Sequence, residues 1–253
     1  MATLEVSPQL SRGEAHLHLC LPGTQHDADL ELARSVLDER EREQAARFRY
    51  AEHQRLYTAA HGLLRLVLAR YTARPARELE FVYGPHGRPE LADFGYTHDL
   101  RFSLSHTRGL AGCAVTRVDG IGFDLEAARD IEHLEIAEHY FSEAERRALC
   151  AAPNDGRAAY FYRVWTLKEA YLKARGFGLA LPLTSFAVEP LAAPNARLVQ
   201  QPADDTAHWT LRSWADGNHF AALAVEATTP LQVTSYAPLR LQDLAAAGEE
   251  ATR

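Results

Sequence analysis

Two carboxylates one residue apart, Asp124 and Glu126, lie in the otherwise apolar run GIGFDLE, residues 120–126. In a strand, alternate side chains share a face, so both acids point one way and Phe123 and Leu125 the other. Like charges gathered at the end of a core strand fit either a strand that has reached solvent or a pair of ligands around a cation. Glu145 follows in the first turn of a helix predicted for SEAERRAL. A helical hairpin after the strand would carry it back to the same end. Three hard oxygen donors on a partly hydrated site suit Mg²⁺, with Mn²⁺ as the alternative, the shell being completed by water and phosphate. The D-x-E spacing alone favours two solvated acids after a turn.

Three other clusters bear groups suited to phosphate chemistry. In WTLKEAYLK, residues 165–173, Lys168, Glu169 and Lys173 share one predicted helix. Glu169 could take a proton while the lysines meet phosphate. Taken alone, Glu169 and Lys173, four apart, read first as a surface pair contributing about 0.3–0.5 kcal/mol. In SLSHTRG, residues 103–109, Ser105, His106 and Thr107 offer two hydroxyls and an imidazole at a strand end. No G-x-S-x-G elbow surrounds either serine, which argues against a triad nucleophile. In GPHGRPEL, Arg88 stands between Gly87 and Pro89 in a turn-rich loop that lacks P-loop spacing. His16 and His18 share a strand face without a third ligand and read as structural.

These groups must be held by helices and strands in alternation. DLELARSVLDEREREQAARFR and RLYTAAHGLLRLVLARYT carry helical apolar spacing. LEFVYG and LRFSLSH read as strands, and LAGCAVTRV and GIGFDLE as a hairpin turning at Asp119–Gly120. Helices return in IEHLEIAEHYF, in SEAERRALCAA with Ser142 and Glu145 as a capping box, and in GRAAYFYRVWTLKEAYLKARG, stopped by Gly176. Short strands follow. The expected fold is α+β, with two similar lobes, residues 1–115 and 116–253. At 253 residues the chain can bury a substantial core. A net charge of −7 argues against nucleic acid as the main partner. Three scattered cysteines suggest neither disulfides nor zinc. No signal peptide or membrane span is read from the sequence, so a cytoplasmic protein is expected.

SLSHTRG, GIGFDLE, YFSEAE and WTLKEAYLKARGFGL, in this order and spacing, resemble the 4′-phosphopantetheinyl transferases, specifically the larger type that activates peptide and polyketide synthetases. The similarity runs from about Leu37 to Phe186. The resemblance implies a pseudo-twofold α+β fold with coenzyme A in the cleft between the lobes. It also implies Mg²⁺-dependent transfer of phosphopantetheine to a carrier-protein serine, leaving adenosine 3′,5′-bisphosphate. The family's metal acids match Asp124, Glu126 and Glu145, and its base and phosphate contacts match Glu169, Lys168 and Lys173. Ser105, His106 and Thr107 match further phosphate contacts, His106 being placed with the catalytic groups. Gly87, Arg88 and Pro89 match the adenine loop, with Arg for Lys, and Arg55 matches an upstream phosphate-binding arginine. One departure concerns the 3′-phosphate: Glu41 and Gln44 fall where some relatives carry lysines, and Arg40, Arg42 or Arg47 is the expected substitute from an adjacent turn.

The expected partners are coenzyme A and an apo acyl or peptidyl carrier protein, bound by a monomer that needs neither nucleic acid nor membrane. Residues 127–144 are the expected carrier-docking segment, through Ile131, Leu134 or Phe141. Two alternatives compete: a degenerate, non-catalytic binder of carriers or coenzyme A, and a different Mg²⁺-dependent phosphohydrolase.

Overall fold

The computed structural model describes residues 8–72, 74–92, 99–227 and 230–250. The chain forms two compact units, one comprising residues 1–117 and 232–253, the other residues 118–231.

The first unit opens with β1 (Glu14–Cys20), α1 (Asp27–Val36), α2 (Glu39–Ala46) and α3 (Ala51–Thr72). The helix expected to run through residues 29–49 is broken at Leu37–Asp38. The Asp38 side chain accepts from the Glu41 amide at 2.8 Å, and the Glu41 carboxylate accepts from the Asp38 amide at 3.0 Å. This reciprocal cap starts a new helix. The hairpin β2 (Phe81–Tyr83) and β3 (Pro89–Leu91) follows, then β4 (Arg101–Thr107) and β5 (Leu110–Thr116). β4 and β5 pair antiparallel around Arg108–Gly109, where Gly109 has φ 84°.

The second unit contains β6 (Ile121–Ala127), α4 (His133–Tyr140), α5 (Glu143–Ala151), α6 (Asn154–Arg175), β7 (Ala187–Pro190), β8 (Asn195–Gln200), β9 (Trp209–Asp216) and β10 (His219–Glu226). Its strands form one antiparallel sheet in the order β6-β10-β9-β8-β7. The expected β5–β6 hairpin is therefore corrected. β5 lies between β1 and β4, whereas β6 pairs with β10. Gly120 begins that new pairing, its carbonyl accepting from the Glu226 amide at 2.8 Å.

The chain then returns to the first unit as β11 (Gln232–Ser235) and α7 (Leu241–Glu250). β11 adds parallel to β1, giving the order β11-β1-β5-β4. Buried Gln25 receives the Leu241 amide at 3.1 Å, and buried Asp29 receives the Gln242 amide at 3.1 Å. The boundary expected at 115/116 falls at 117/118, and the C-terminal segment belongs to the first unit rather than the second.

Each unit thus lays one 22-residue helix, α3 or α6, against its own sheet. The α3 side chains Leu63, Leu64, Val67 and Leu68 fill the first core, with Phe102 and Val115 from the sheet. Phe161, Val164, Leu167 and Tyr171 of α6 fill the second, with Phe186 and Ala222.

α6 approaches β6 most closely at Gly122, where an added Cβ would fall 1.8 Å from the Ala170 carbonyl oxygen and 2.5 Å from the Ala174 nitrogen. Both obstacles are backbone, so Gly122→Ala must push helix and strand apart. The expected loss is about 3 kcal/mol, at the upper end of ordinary overpacking costs. Urea unfolding of the variant measures it, and an unchanged midpoint would contradict the close approach.

Candidate functional site in the second unit

Gly122 lies on the α6-facing side of β6, and the period of two places Asp124 and Glu126 on that same side. Trp165, Glu169 and Lys173, spaced four apart on α6, form one helix face. The two rows meet. Lys173 Nζ lies 2.7 Å from Asp124 Oδ1 and donates to the Phe123 carbonyl at 3.1 Å. Asp124 is buried, while Lys173 keeps about a third of its side chain exposed. Phe123 and Leu125, on the other face of β6, are also buried, so a solvated strand end is excluded.

Electrostatics couple the cluster. Burial raises the Glu169 pKa to about 6, and the charges of Asp124 and Glu126 push the same way against Lys173. Burial and Asp124 likewise raise Glu126, opposed by Arg129, by Lys173 and by a hydrogen bond from Trp165. Lys173 bonds Asp124 directly and is felt electrostatically by Glu126 and Glu169, with Arg129 assisting at Glu126, yet both glutamates are still pushed up.

This upward push has a measurable cost. Glu169 holds its proton more tightly folded than unfolded, so its contribution to stability is present below its ordinary value of 4.5 and lost as pH rises through about 6. Glu169→Gln should therefore stabilise the metal-free protein by about 2 kcal/mol at pH 7.5 and leave it unchanged near pH 4. Chemical denaturation in the presence of a chelator at the two pH values checks this. Equal stability of variant and wild type at pH 7.5 would contradict it.

Glu145 and Lys168, expected as metal acid and phosphate contact, are not brought into this cluster. Lys168 Nζ is 2.8 Å from both Glu145 oxygens and donates to the Phe186 carbonyl at 2.9 Å. Glu145 also accepts from the Ser142 amide at 2.7 Å and the Val188 amide at 2.8 Å. Both side chains are buried, and the Lys168 ammonium lies 4.3 Å from the centre of the Phe186 ring. Val188 belongs to β7, the opposite edge strand from β6. The Glu145 oxygens are committed to a helix cap, a strand amide and a buried cation.

In the first unit, Ser105 is buried, Thr107 half-buried and His106 exposed, all on the edge strand β4. Gly87, φ 79°, shapes the β2–β3 turn, where the Gly84 amide donates to the Arg88 carbonyl at 2.9 Å. Burial, with Arg101 assisting, lowers the Arg88 pKa against the pull of Glu90. Arg55, on α3, donates to the Gln25 carbonyl at 3.2 Å and lies 3.4 Å from Asp27. Of the three arginines of α2 and its end, Arg42 bonds the Leu37 carbonyl, Arg40 stacks 3.7 Å over the Tyr83 ring, and Arg47 caps the helix. Glu41 is buried against Arg65 and His61. His16 and His18 both hydrogen-bond the Tyr71 hydroxyl, at 2.8 and 2.7 Å, within the buried side of β1.

Two contributors escaped the reading of the motifs. Gly122 was legible as the residue two before Asp124 on the same strand face. Trp165 lies four residues before Glu169 and reaches Glu126.

Known proteins divide along the same boundary. A profile for the 4′-phosphopantetheinyl transferase superfamily matches residues 120–225, and one for the 4′-phosphopantetheinyl transferase N-terminal region matches residues 24–117. The 4′-phosphopantetheinyl transferase HetI of Nostoc sp. (strain PCC 7120) is 35% identical over 221 residues, covering 86% of this chain and 91% of that protein. The chain belongs to the 4′-phosphopantetheinyl transferase family. The transferase Sfp of Bacillus subtilis is 33% identical over 154 residues, 61% of this chain and 66% of Sfp. A solved holo-[acyl-carrier-protein] synthase from Thermotoga maritima overlaps 43% of this chain and 62% of its own at 22% identity and TM-score 0.37, too little to bear on the fold.

Among the described residues, no three His, Cys, Asp or Glu side chains stand as a ready-made metal cluster. Mg²⁺ needs no such cage, since one or two carboxylates with water and phosphate suffice. Asp124 and Glu126 offer that pair of hard donors, and a divalent cation would offset both the burial and the like charges that raise Glu126 and Glu169. The donor set fits.

Proposed function

We propose that the protein moves the 4′-phosphopantetheine arm of coenzyme A onto a serine of an apo carrier protein, with Mg²⁺, releasing adenosine 3′,5′-bisphosphate. The observation that carries this reading is the meeting of Asp124, Glu126, Glu169 and Lys173 between β6 and α6. Family membership supports it.

The serine oxygen bonds to the phosphorus bearing the pantetheine arm, and the bond from that phosphorus to the bridging diphosphate oxygen breaks. Glu169, with a pKa near 6, is mostly ionised at neutral pH and takes the serine proton. Lys173, partly exposed beside Asp124, meets the charge that develops on the diphosphate. Asp124 and Glu126 would hold Mg²⁺, which when bound supplies further positive charge to the diphosphate oxygens. Ser105, His106 and Thr107 supply hydroxyl and imidazole groups for phosphate oxygens, and Gly87, Arg88 and Pro89 the adenine loop, with Arg55 a further phosphate contact. Lys168, fully buried against Glu145, is left out of the proposed ligand contacts.

The carrier is assigned to α4. Leu134 and Tyr140 are exposed there and Ile131 is half-buried, whereas Phe141 is core and drops out of the expected contact set. Between α4 and α5 lies a groove of about 680 Å³ lined by Leu134, Ala137 and Leu149, with Arg146 and Arg147 also lining it. Among the described residues no helix is long and apolar enough to cross a membrane. Three free thiols suit a reducing cytoplasm.

The test is incubation with coenzyme A, Mg²⁺ and a panel of acyl, peptidyl and aryl carriers, followed by intact-mass measurement. A carrier whose active serine gains the phosphopantetheine arm supports the reading. Binding of carrier or coenzyme A without transfer would favour a degenerate binder, and hydrolysis of coenzyme A without transfer a phosphohydrolase.

A further inference from the structure

We infer that the buried Glu145–Lys168 pair is a positioning device that fixes the rotation of α6 and thereby aims Glu169 and Lys173 at the β6 acids. This rests on the transferase reading.

Lys168 and Glu169 are consecutive, so their side chains leave the helix about 100° apart, and Lys173 leaves about 140° from Lys168. Lys168 points toward the β7 side, where Glu145 and the Phe186 carbonyl hold its ammonium. Glu145 is itself fixed by the Val188 amide of β7 and by the Ser142 amide at the start of α5. On the other side, Lys173 reaches Asp124 of β6. The helix is thus gripped on two flanks. At Gly122 the contact is one of close packing, which resists approach but permits some roll. The ion pair is directional, because both Glu145 oxygens and the Lys168 ammonium have fixed partners. At a side-chain radius of about 6 Å, a roll of roughly 10° displaces a carboxylate by about 1 Å. A displacement of that size can lower a rate about 100-fold.

Apolar replacement separates aim from stability, because a buried ion pair exchanged for uncharged groups of similar volume commonly keeps the fold. In Glu145→Gln/Lys168→Met, the single amide oxygen retains an acceptor for the Val188 amide, while the Ser142 amide, which bonds the other carboxylate oxygen, loses its acceptor. The full-length variant should keep its thermal midpoint within about 5 °C of wild type. Its kcat for a carrier that the wild type modifies should fall about 10- to 100-fold, with KM for coenzyme A within about threefold. Its Mn²⁺ affinity, read directly by electron paramagnetic resonance without substrate, should stay within about threefold, because Asp124 and Glu126 remain on β6. Glu145→Asp, which keeps the charges but retracts the carboxylate by one methylene, should also lower kcat, by about three- to tenfold. That variant decides the matter if the double variant fails to fold.

A folded double variant with wild-type kcat overturns the inference, as does unchanged kcat in Glu145→Asp. Mn²⁺ binding weakened more than about tenfold, with turnover restored by added Mg²⁺, would make Glu145 a metal acid and overturn it too. Absence of transfer by the wild type would instead strike the transferase reading itself.

Discussion

Asp124→Asn should lower transfer by about a thousandfold or more while leaving the protein folded. Asp124 belongs to the proposed metal pair and is the bonded partner of Lys173, so one substitution disturbs both sources of positive charge at the diphosphate. Amide for carboxylate preserves shape and removes a full ligand charge. The cost to the fold is small for a physical reason. Lys173 keeps about a third of its side chain exposed and can turn to water, so the lost ion pair amounts to no more than about 1 kcal/mol. Removal of one like charge also relieves Glu126 and Glu169, both of which Asp124 pushes upward. Rates measured with carrier and coenzyme A, alongside thermal midpoints, test both halves. Near-normal turnover would remove Asp124 from the mechanism.

Glu145→Ala should produce the opposite pattern, a loss of about 3–5 kcal/mol in stability, as expected when one partner of a buried pair is removed. The truncation strands Lys168, fully buried, with the Phe186 carbonyl and ring as its remaining neighbours. It also deprives the Ser142 and Val188 amides of their acceptor. Burial already lowers the Lys168 pKa, with Glu145 opposing that shift, so the variant should shed the lysine proton more readily. Equilibrium urea unfolding measures the effect. A change below about 1 kcal/mol would mean that the pair is not buried as described.

The contrast between these acids shows what the sequence could reveal. That Asp124 and Glu126 share a face is legible from the strand period of two, whereas the close approach of α6 to that face at Gly122 is not. Glu145 carried two competing signals, a place in a possible acid cluster and the third position of a capping box begun by Ser142. The local signal prevailed, because the Glu145 carboxylate accepts from the Ser142 amide at 2.7 Å. Lys168 and Lys173, both read as phosphate contacts, are five residues apart on a helix and leave it about 140° apart, so they could not share a target.

Long-range pairing was the least legible feature. The β5–β6 hairpin looked natural from Asp119–Gly120, yet the chain passes there from one unit to the other. Nothing local to residues 232–250 announces that they rejoin β1, because the buried acceptors that hold them, Gln25 and Asp29, lie more than two hundred residues earlier. Conversely α6, with Gly176 at φ 70° receiving the helix end, was fully written in its own periodicity and stop signal.

The most direct measurement is a crystal structure of the protein with coenzyme A and Mn²⁺, the ion located by its anomalous scattering. The expected result is an ion at ordinary metal–oxygen distances, about 2.0–2.3 Å, from Asp124, Glu126 and a diphosphate oxygen, with Glu145 still bound to Lys168. A diphosphate bound with those two carboxylates turned away from it, or an ion held by Glu145, would contradict the account.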